Sequence, residues 1–227
     1  MTAINASPQK KVDVGQDNAR ISSGSFYFVG QELVSNAKYS KLIEGTPYFR
    51  ESWMSGSVIM SKGFRYDSVM LRLDLLDNTL QFINPAGKEM IATSPVRTII
   101  LLDSVTGRRY TFDNASFLTV TNKIEPGWYQ LLVDGQATLY KKTVKRLKEN
   151  QPYSSATVEQ TITEAPEYYL FYGSVFTRIK RLKDLPAQLN DKKDELNKLM
   201  IAENLSGKSD ADFSIVIEHY NTLITKQ

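Results

Sequence analysis

A single histidine limits the chemistry that this chain can perform, since histidine is the side chain most often used for acid–base catalysis at neutral pH. The residue is His219, beside Tyr220 in a stretch of helical periodicity. One imidazole is too few for a multi-histidine zinc site, and no G-x-S-x-G sequence surrounds any serine. We therefore expect His219 to be a helix-surface or edge residue that tolerates replacement.

Three aspartates offer paired carboxylates for general acid–base work. Asp67, Asp74 and Asp77 lie close together in the sequence, around the first predicted hairpin. Asp67 and Asp77 flank the ends of a predicted strand, where turn residues are expected in any case. A metal-independent enzyme that uses carboxylates or hydroxyls is therefore kept as an alternative and is not the favoured interpretation.

The tripeptide Gly207-Lys208-Ser209 ends like a phosphate-binding P-loop. That motif needs a glycine at position 202, where this chain has Ala202, and a preceding strand, which the pattern does not predict. We attribute the match to chance, and no motif predicts a metal or another cofactor.

Two basic runs raise the question of an anionic partner. The first, YKKTVKRLKEN at 140–150, has five basic residues against one acidic residue, and the second is TRIKRLKDL at 177–185. If the two runs are adjacent in space, their positive field attracts polyanions weakly, and salt screens that attraction. A solvated strand and helix surface is the plainer alternative. The candidate polyanion or partner patch comprises Lys141, Lys142, Lys145, Arg146, Arg178 and Lys180.

The most aromatic short stretch is GTPYFRESWMSG at 45–56. Tyr48, Phe49 and Trp53 in this stretch either line a ligand pocket or plug one open end of the core of the following sheet. Aromatic side chains before a sheet bury large apolar areas, so we favour the plug over the pocket.

Composition narrows the class of protein. The 227 residues include no cysteine, which rules out disulfides, thiolate metal sites and thiol nucleophiles. The net charge of +3 is far from that of a dedicated nucleic-acid binder, and we expect no sequence-specific nucleic-acid partner. No apolar run approaches the roughly 18 residues that suggest a membrane span, so no transmembrane segment is predicted.

Strand patterns dominate the sequence from Trp53 onward. Apolar residues alternate with polar ones along 69–75, which is typical of a half-buried strand. Asp134-Gly135 predicts a hairpin with a two-residue type I′ turn, and a second hairpin is expected to turn near Gly173. Before the sheet, 25–34 is expected to be a first strand and 37–45 a short helical turn.

The pattern becomes helical from Asp184, a predicted N-cap, to a stop at Gly207. A second helix is expected to start near Ser209 and to bury Phe213, Val216, Ile217, Tyr220 and Leu223 or Ile224. The predicted fold is α+β: a curved antiparallel sheet of hairpin-connected strands, with a barrel as an alternative, then a hairpin and two helices. The predicted divisions are a flexible lead-in at 1–24, a β domain at 25–150, a loop at 151–166, and a hairpin with packed helices at 167–227.

Four short motifs are spread along the chain: a G-[ST]-P-Y-[FL] sequence, a tryptophan shortly after it, a G-x-V-x-x-x-x-G-x-x-Y hairpin, and a basic helical tail ending near Tyr-Asn. Their residues are Gly45, Thr46, Pro47, Tyr48, Phe49, Trp53, Gly56, Val58, Gly63, Tyr66, Tyr220 and Asn221. Together these motifs resemble an uncharacterised family common in Bacteroidota. Such proteins usually carry a signal peptide and are presumed to act in the cell envelope, so the resemblance implies a periplasmic or secreted protein whose leader has been removed. A cytoplasmic location is the alternative, because the first residues contain no apolar signal region.

The favoured function is a non-enzymatic binding or scaffold module of the cell envelope. Its expected partner is another envelope protein or an anionic polymer. A purely structural accessory domain is a further alternative, beside the metal-independent enzyme.

Overall fold

The computed structural model of the protein describes residues 11–13, 30–32, 40–151, 153 and 157–225. The strands within these ranges are β1 Lys11–Asp13, β2 Gly30–Glu32, β3 Ser40–Glu44, β4 Met54–Met60, β5 Arg65–Asp74, β6 Thr79–Ile83, β7 Glu89–Ala92, β8 Val96–Leu102, β9 Arg109–Asn114, β10 Trp128–Val133, β11 Thr138–Asn150, β12 Val158–Tyr172 and β13 Val175–Ile179. The helices are α1 Leu185–Gln188, α2 Lys193–Ala202 and α3 Asp210–Thr225, with 3₁₀ turns at Ala115–Phe117, Leu182–Asp184 and Asn190–Lys192.

All of these strands belong to one curved sheet. The hydrogen-bonded order is β13-β12-β11-β10-β9-β8-β4-β5-β6-β7-β2, and every neighbouring pair in this order is antiparallel. Two short strands pair in parallel outside this order: β1 with β5, and β3 with β12. The predicted α+β class with a curved sheet is confirmed, while the sheet is mixed and does not close into a barrel.

The segment at 37–45, predicted as a helical turn, contains β3 instead. Its backbone pairs with the start of β12, and these hydrogen bonds override the weak local preference. Gly45 follows with φ of +82°, and a Cβ atom there would lie 2.0 Å from the carbonyl oxygen of Ile162. Position 45, where the backbone passes close to Ile162, therefore requires glycine.

The loop predicted at 151–166 is wrong for most of its length, because β12 begins at Val158. β11 and β12 form a long two-stranded ribbon whose register runs from Thr138 opposite Phe171 to Asn150 opposite Glu159. Pro166 lies inside β12 where, among the described residues, the outer edge has no strand neighbour. Sheets tolerate proline at such edges, which explains how a residue that resembled a loop boundary sits within a strand.

Both predicted hairpins form, but their turns differ. Gly173 and Ser174 join β12 to β13 with φ of 57° and 64°, the positive values of a type I′ turn. The type I′ prediction at Asp134-Gly135 is wrong, since Asp134 has no positive φ and four residues separate β10 from β11.

A side chain from the last helix holds this wider turn. The Ala137 N–H donates to Asn221 Oδ1 at 2.9 Å, and Asn221 Nδ2 donates to the Ala137 carbonyl at 2.8 Å. A Cβ atom on Gly135 would lie 2.3 Å from Asn221 Nδ2, so the glycine leaves room for this clamp. The turn is thus completed by a residue distant in the sequence, which local turn preferences do not reveal.

The C-terminal part has three helices instead of two. Leu189 leaves the helical conformation with φ of −118° and ψ of 57° while staying fully buried, and this separates α1 from α2. Asp184 precedes α1 as predicted but makes no side-chain capping hydrogen bond. Helix α3 buries Phe213, Val216, Ile217 and Tyr220 as predicted, whereas Leu223 and Ile224 are only half-buried.

Three apolar clusters hold the sheet and helices together. The sheet core is formed by strands from β4 to β10 of the chain and includes Val58, Leu71, Ile99, Leu101, Phe112 and Trp128. The helix core packs α1–α3 against the ribbon and includes Leu139, Leu170, Leu185, Leu196, Phe213 and Val216. The aromatic cluster consists of Tyr129, Tyr140, Tyr169 and Phe176, with Ala115.

The predicted lead-in at 1–24 falls outside the described residues apart from β1. The strand expected at 25–34 is likewise described only at β2.

Candidate functional site

Strands β10, β11 and β12 present two different faces. Directly paired residues project to the same side of a sheet, and neighbours along a strand alternate. Gln130 pairs with Lys141, and Lys141 pairs with Tyr168, so these three define the cleft face. Tyr140 and Tyr169 pair on the opposite side, the aromatic face.

A polar cleft of about 140 Å³ lies on the cleft face, between the sheet core and the helix core. Gln130, Lys141 and Thr143 line it from the sheet. We call it the arginine cleft and define it by Arg50, Arg108, Tyr110, Gln130, Lys141 and Asp210. Arg50 and Arg108 are both exposed, so the cleft is open to solvent and a ligand can reach the two guanidiniums.

Two arginines border the cleft over a shared aromatic ring. The Arg50 guanidinium carbon lies 4.8 Å from the ring centroid of Phe49 and 5.7 Å from that of Tyr110. The Arg108 guanidinium carbon lies 5.1 Å from the Tyr110 centroid. These distances fit cation–π contact, which orients each guanidinium without neutralising it. Among the described residues, no carboxylate lies within 4.0 Å of either guanidinium.

Gln130 supplies a polar group to the cleft. The residue is only 5% exposed, and within the described ranges its side-chain amide makes no hydrogen bond to the protein. The amide nitrogen and oxygen are not themselves fully buried, so they are open to a hydrogen-bond partner in the cleft. The Gln130 amide offers both a donor and an acceptor to a molecule in the cleft.

The far wall is a carboxylate held by two donors. Asp210, the first residue of α3, accepts from Lys141 Nζ at 2.8 Å and from the Tyr168 hydroxyl at 2.7 Å. The Tyr168 ring stacks on Phe213 at 3.8 Å between centroids. Burial, and then the hydrogen bond to Asp210, raises the pKa of Tyr168, which keeps its hydroxyl protonated as a donor. This set of contacts fixes α3 against the ribbon.

A second ion pair includes Glu164, which also lines the cleft. Lys145 Nζ contacts Glu164 Oε2 at 2.7 Å, and the Lys145 side chain is only 3% exposed. The hydrogen bond from Lys145 lowers the pKa of Glu164, which keeps the carboxylate ionised. Three cationic and two acidic side chains line the cleft itself, so its lining carries one net positive charge.

Side chains of the predicted basic patch divide between two faces of the sheet. Lys141 and Lys145 project from the cleft face, whereas Lys142 and Arg178 project from the aromatic face. This division arises because odd and even positions of a strand point to opposite sides.

Four of the six residues of the predicted patch are already paired with acidic residues. Besides Lys141 and Lys145, the Lys142 Nζ contacts Glu125 at 3.0 Å and the Arg178 guanidinium contacts Glu167 at 2.6 Å. Arg146 and Lys180 are exposed.

The aromatic trio has two roles. Phe49 packs on the sheet core, at 4.9 Å from the rings of both Tyr110 and Phe112, and it also lines the arginine cleft, so both the plug and the pocket interpretation stay open for it. Tyr48 and Trp53 instead enclose the Arg72 guanidinium, each with its ring centroid at 4.3 Å. Neither the pocket nor the plug interpretation anticipated an internal cation between the two rings.

The aspartates of the first hairpin have structural roles. Asp74 accepts from the backbone N–H groups of Leu76 and Asp77, both at 2.9 Å, and so forms the turn after β5. Asp67 accepts from Arg65 Nε at 2.8 Å and from the Ser57 hydroxyl. These contacts place the two carboxylates in separate local arrangements instead of a catalytic pair.

The loop that resembles a P-loop is filled by the chain itself. Asp212 Oδ2 accepts from the backbone N–H groups of Ser206, Gly207 and Lys208 at 2.7–3.2 Å. Ser209 and Asp212 also exchange hydrogen bonds as a capping box at the start of α3. The backbone donors that a phosphate would use are therefore engaged.

His219 is half-buried on α3 and, within the described part of the chain, makes no hydrogen bond or ion pair. This position agrees with the expected edge residue. Among the described residues, no three histidine, aspartate or glutamate side chains are grouped as metal ligands would be.

Sequence reasoning missed the residues that define the cleft. Arg50 stands directly beside Phe49 in the aromatic stretch, and Arg108 stands two residues before Tyr110. The sequence did offer one signal for the cleft. In each of two segments, an arginine stands one or two residues from an aromatic residue. Neither basic run contains these arginines, and only the fold brings them to Gln130 and Asp210.

Within the described ranges, no helix combines the length and the apolar character needed to cross a membrane. Comparison of the chain with protein-family models, with curated proteins and with solved structures finds no match.

Proposed function

We propose that this chain is a non-catalytic binding module whose ligand places a carboxylate or phosphate group in the arginine cleft. The observation that carries the proposal is the pair of guanidiniums on one Tyr110 ring, without carboxylate partners in the described ranges, beside the side-chain amide of Gln130. A cell-envelope location, in the periplasm or outside the cell, is part of the proposal and rests on the resemblance of the sequence motifs.

The chemistry of the cleft favours an anion. A guanidinium presents several N–H donors in one plane, which matches the oxygens of carboxylate and phosphate groups. Tyr110 and Phe49 hold the two guanidiniums in place, so a ligand need not restrict two freely rotating side chains. Hydrogen bonds to charged groups contribute about 1.5–3 kcal/mol each, enough for selective binding of a small anion.

The carboxylates of the cleft support binding over catalysis. Asp210 already accepts from Lys141 and Tyr168, and Glu164 is held ionised by Lys145. A general base needs a carboxylate that can take up a proton near the working pH. These two carboxylates instead position the cations and the helix around the cleft.

Calorimetric titration with acetate and with inorganic phosphate, at low and at physiological salt, tests the proposal. We expect each of Arg50→Ala and Arg108→Ala to weaken binding by about tenfold, because each removes a charge-assisted hydrogen bond. The double variant should abolish measurable binding. Higher salt should weaken binding by the wild-type protein, since both groups are near solvent.

Arg109→Ala is the matched control. Arg109 is an exposed arginine next to Arg108, but its position in β9 points to the side opposite Tyr110. Its replacement should leave the affinity unchanged. Equal weakening by Arg109→Ala and Arg108→Ala, or full binding by the double variant, would contradict a specific role for the cleft.

A further inference from the structure

We infer that the ligand is a small amphiphile, with its anionic head in the arginine cleft and an apolar chain in the cavity beside it. The inference rests on the proposed function and adds the chemical class of the ligand. It follows from a second cavity that shares Arg50 with the cleft.

The second cavity measures about 270 Å³ and shares the Arg50 side chain with the arginine cleft. The residues that lead into β4 and the turn between β8 and β9 border both spaces. The lining of the second cavity is mixed, and its apolar part comes from Trp53, Met54, Leu102 and Val105. A linear molecule that passes Arg50 therefore moves from a mainly polar space to one that offers it apolar side chains.

The walls of this second cavity are fixed by local contacts. The Trp53 ring stacks on the Arg72 guanidinium at 4.3 Å, and Arg72 is itself held by Gln81 at 2.8 Å. Across the cavity, Asp103 Oδ1 accepts from the backbone N–H groups of Val105 and Thr106 at 2.9 and 3.1 Å. These contacts preform the space, which lowers the conformational cost of binding.

Charge orients the ligand between the two spaces. Asp103 lines the second cavity, and hydrogen bonds from Thr106 lower the pKa of its carboxyl group, so it is negatively charged there. A negative charge repels an anionic head from this end, while the net positive lining of the arginine cleft attracts it. The apolar part of the ligand is therefore expected to contact Trp53 and Val105.

Chain length gives the first test. Acetate and hexanoate share the carboxylate head, and phosphate and hexyl phosphate share the phosphate head, so the four compounds separate head from chain. We expect each hexyl compound to bind at least about tenfold more tightly than its short counterpart. The reason is that each buried methylene group strengthens binding by about two- to fourfold. The tighter of the two hexyl compounds identifies the preferred head.

The indole N–H signals of the two tryptophans report where the apolar chain of the ligand lies. Trp128 is buried and donates to the Asn78 carbonyl, whereas Trp53 lines the second cavity. In NMR titrations of the wild-type protein, hexanoate should shift the Trp53 signal and acetate should not, with the signals assigned through Trp53→Phe. Val105→Ser should reduce the advantage of hexanoate and leave acetate binding unchanged, because Val105 is 92% exposed and contributes no charge.

The outcomes separate this inference from the proposed function. If hexanoate binds no more tightly than acetate, while Arg50→Ala weakens both, the amphiphile is refuted and the anion site stands. A second outcome is that hexanoate binds more tightly than acetate while the Trp53 signal does not shift and Val105→Ser has no effect. In that case the apolar chain of the ligand lies elsewhere, and the inference is refuted. If no compound depends on Arg50 and Arg108, the proposed function itself fails.

Discussion

The two faces of β10–β12 both carry cations but use them differently. On the aromatic face, Lys142 contacts Glu125 and lies 5.4 Å from the centroid of the Tyr129 ring, and Arg178 pairs with Glu167. On the cleft face, Arg50 and Arg108 rest on aromatic rings with no carboxylate partner in the described ranges. A cationic side chain is available to an anionic ligand when neighbouring groups orient it but do not neutralise its charge. The number of basic residues nearby in the sequence does not reveal this availability.

The largest effect that separates the faces is expected from Tyr129→Ala. Tyr129 is fully buried, and its ring packs edge-on against Tyr169 and Phe176 at 5.2 and 5.1 Å. Removing the ring leaves a cavity, so chemical denaturation should show a loss of about 3–5 kcal/mol in the free energy of unfolding. Acetate affinity should stay unchanged wherever the variant remains folded, because the cleft lies on the other face.

Tyr129→Phe is the control for this prediction. It keeps the ring and removes only the hydroxyl that donates to the Glu125 carbonyl, which should cost about 1 kcal/mol. Equal losses for the two variants would mean that the hydroxyl, and not ring packing, stabilises the aromatic face.

A smaller change in stability is expected when a paired cation, Lys142, is replaced, and it can be compared with the replacement of the two cleft arginines. Lys142 donates to Glu125 and to the Pro126 carbonyl, and Lys142→Met removes both bonds while keeping an apolar chain. We expect a loss of about 1 kcal/mol in the free energy of unfolding. The double variant Arg50→Ala, Arg108→Ala should stay within about 0.5 kcal/mol of wild type, as surface substitutions usually do. A double variant that loses more stability than Lys142→Met would make the two arginines structural.

The smallest effect is a pH dependence from Asp74. Burial raises the pKa of Asp74 above its usual value, so the folded state binds this proton more tightly than the unfolded state. The ionised carboxylate therefore destabilises the fold near neutral pH, and its contribution becomes more favourable as pH falls through the raised pKa. Asp74→Asn keeps an acceptor for the Leu76 and Asp77 N–H groups and removes that pH dependence.

Urea midpoints between pH 4 and pH 7 give the measurement for Asp74→Asn. The variant should be at least as stable as wild type at pH 7, and its advantage should shrink toward pH 4. A variant that is less stable at pH 7 than at pH 4, relative to wild type, would show that the ionised carboxylate is needed for the turn.

Where local pattern decides the structure, the sequence predicted it well. The alternation in β5, the Gly173–Ser174 turn and the inner face of α3 all follow from side-chain periodicity or from the φ values that glycine permits. These features depend on residues that are close in the sequence. The sequence alone therefore contains enough information to place them.

Where distant residues decide the structure, the predictions were wrong or incomplete. The helical preference of 37–45 is overridden by pairing with β12, and the wide turn at Asp134 depends on Asn221. The arginine cleft joins Arg50, Arg108 and Asp210, which belong to three separate segments. The basic runs were conspicuous by composition, but alternation along β11 divides their side chains between two faces.

The Asn221 clamp has a consequence for the timing of folding during biosynthesis. The ribosome delivers Ala137 84 residues before the asparagine that accepts from its N–H and donates to its carbonyl. Until α3 has been synthesised, Asn221 cannot contact these two backbone groups and Asp210 cannot receive Lys141 and Tyr168. The turn between β10 and β11 and the far wall of the cleft are therefore both completed by the same helix.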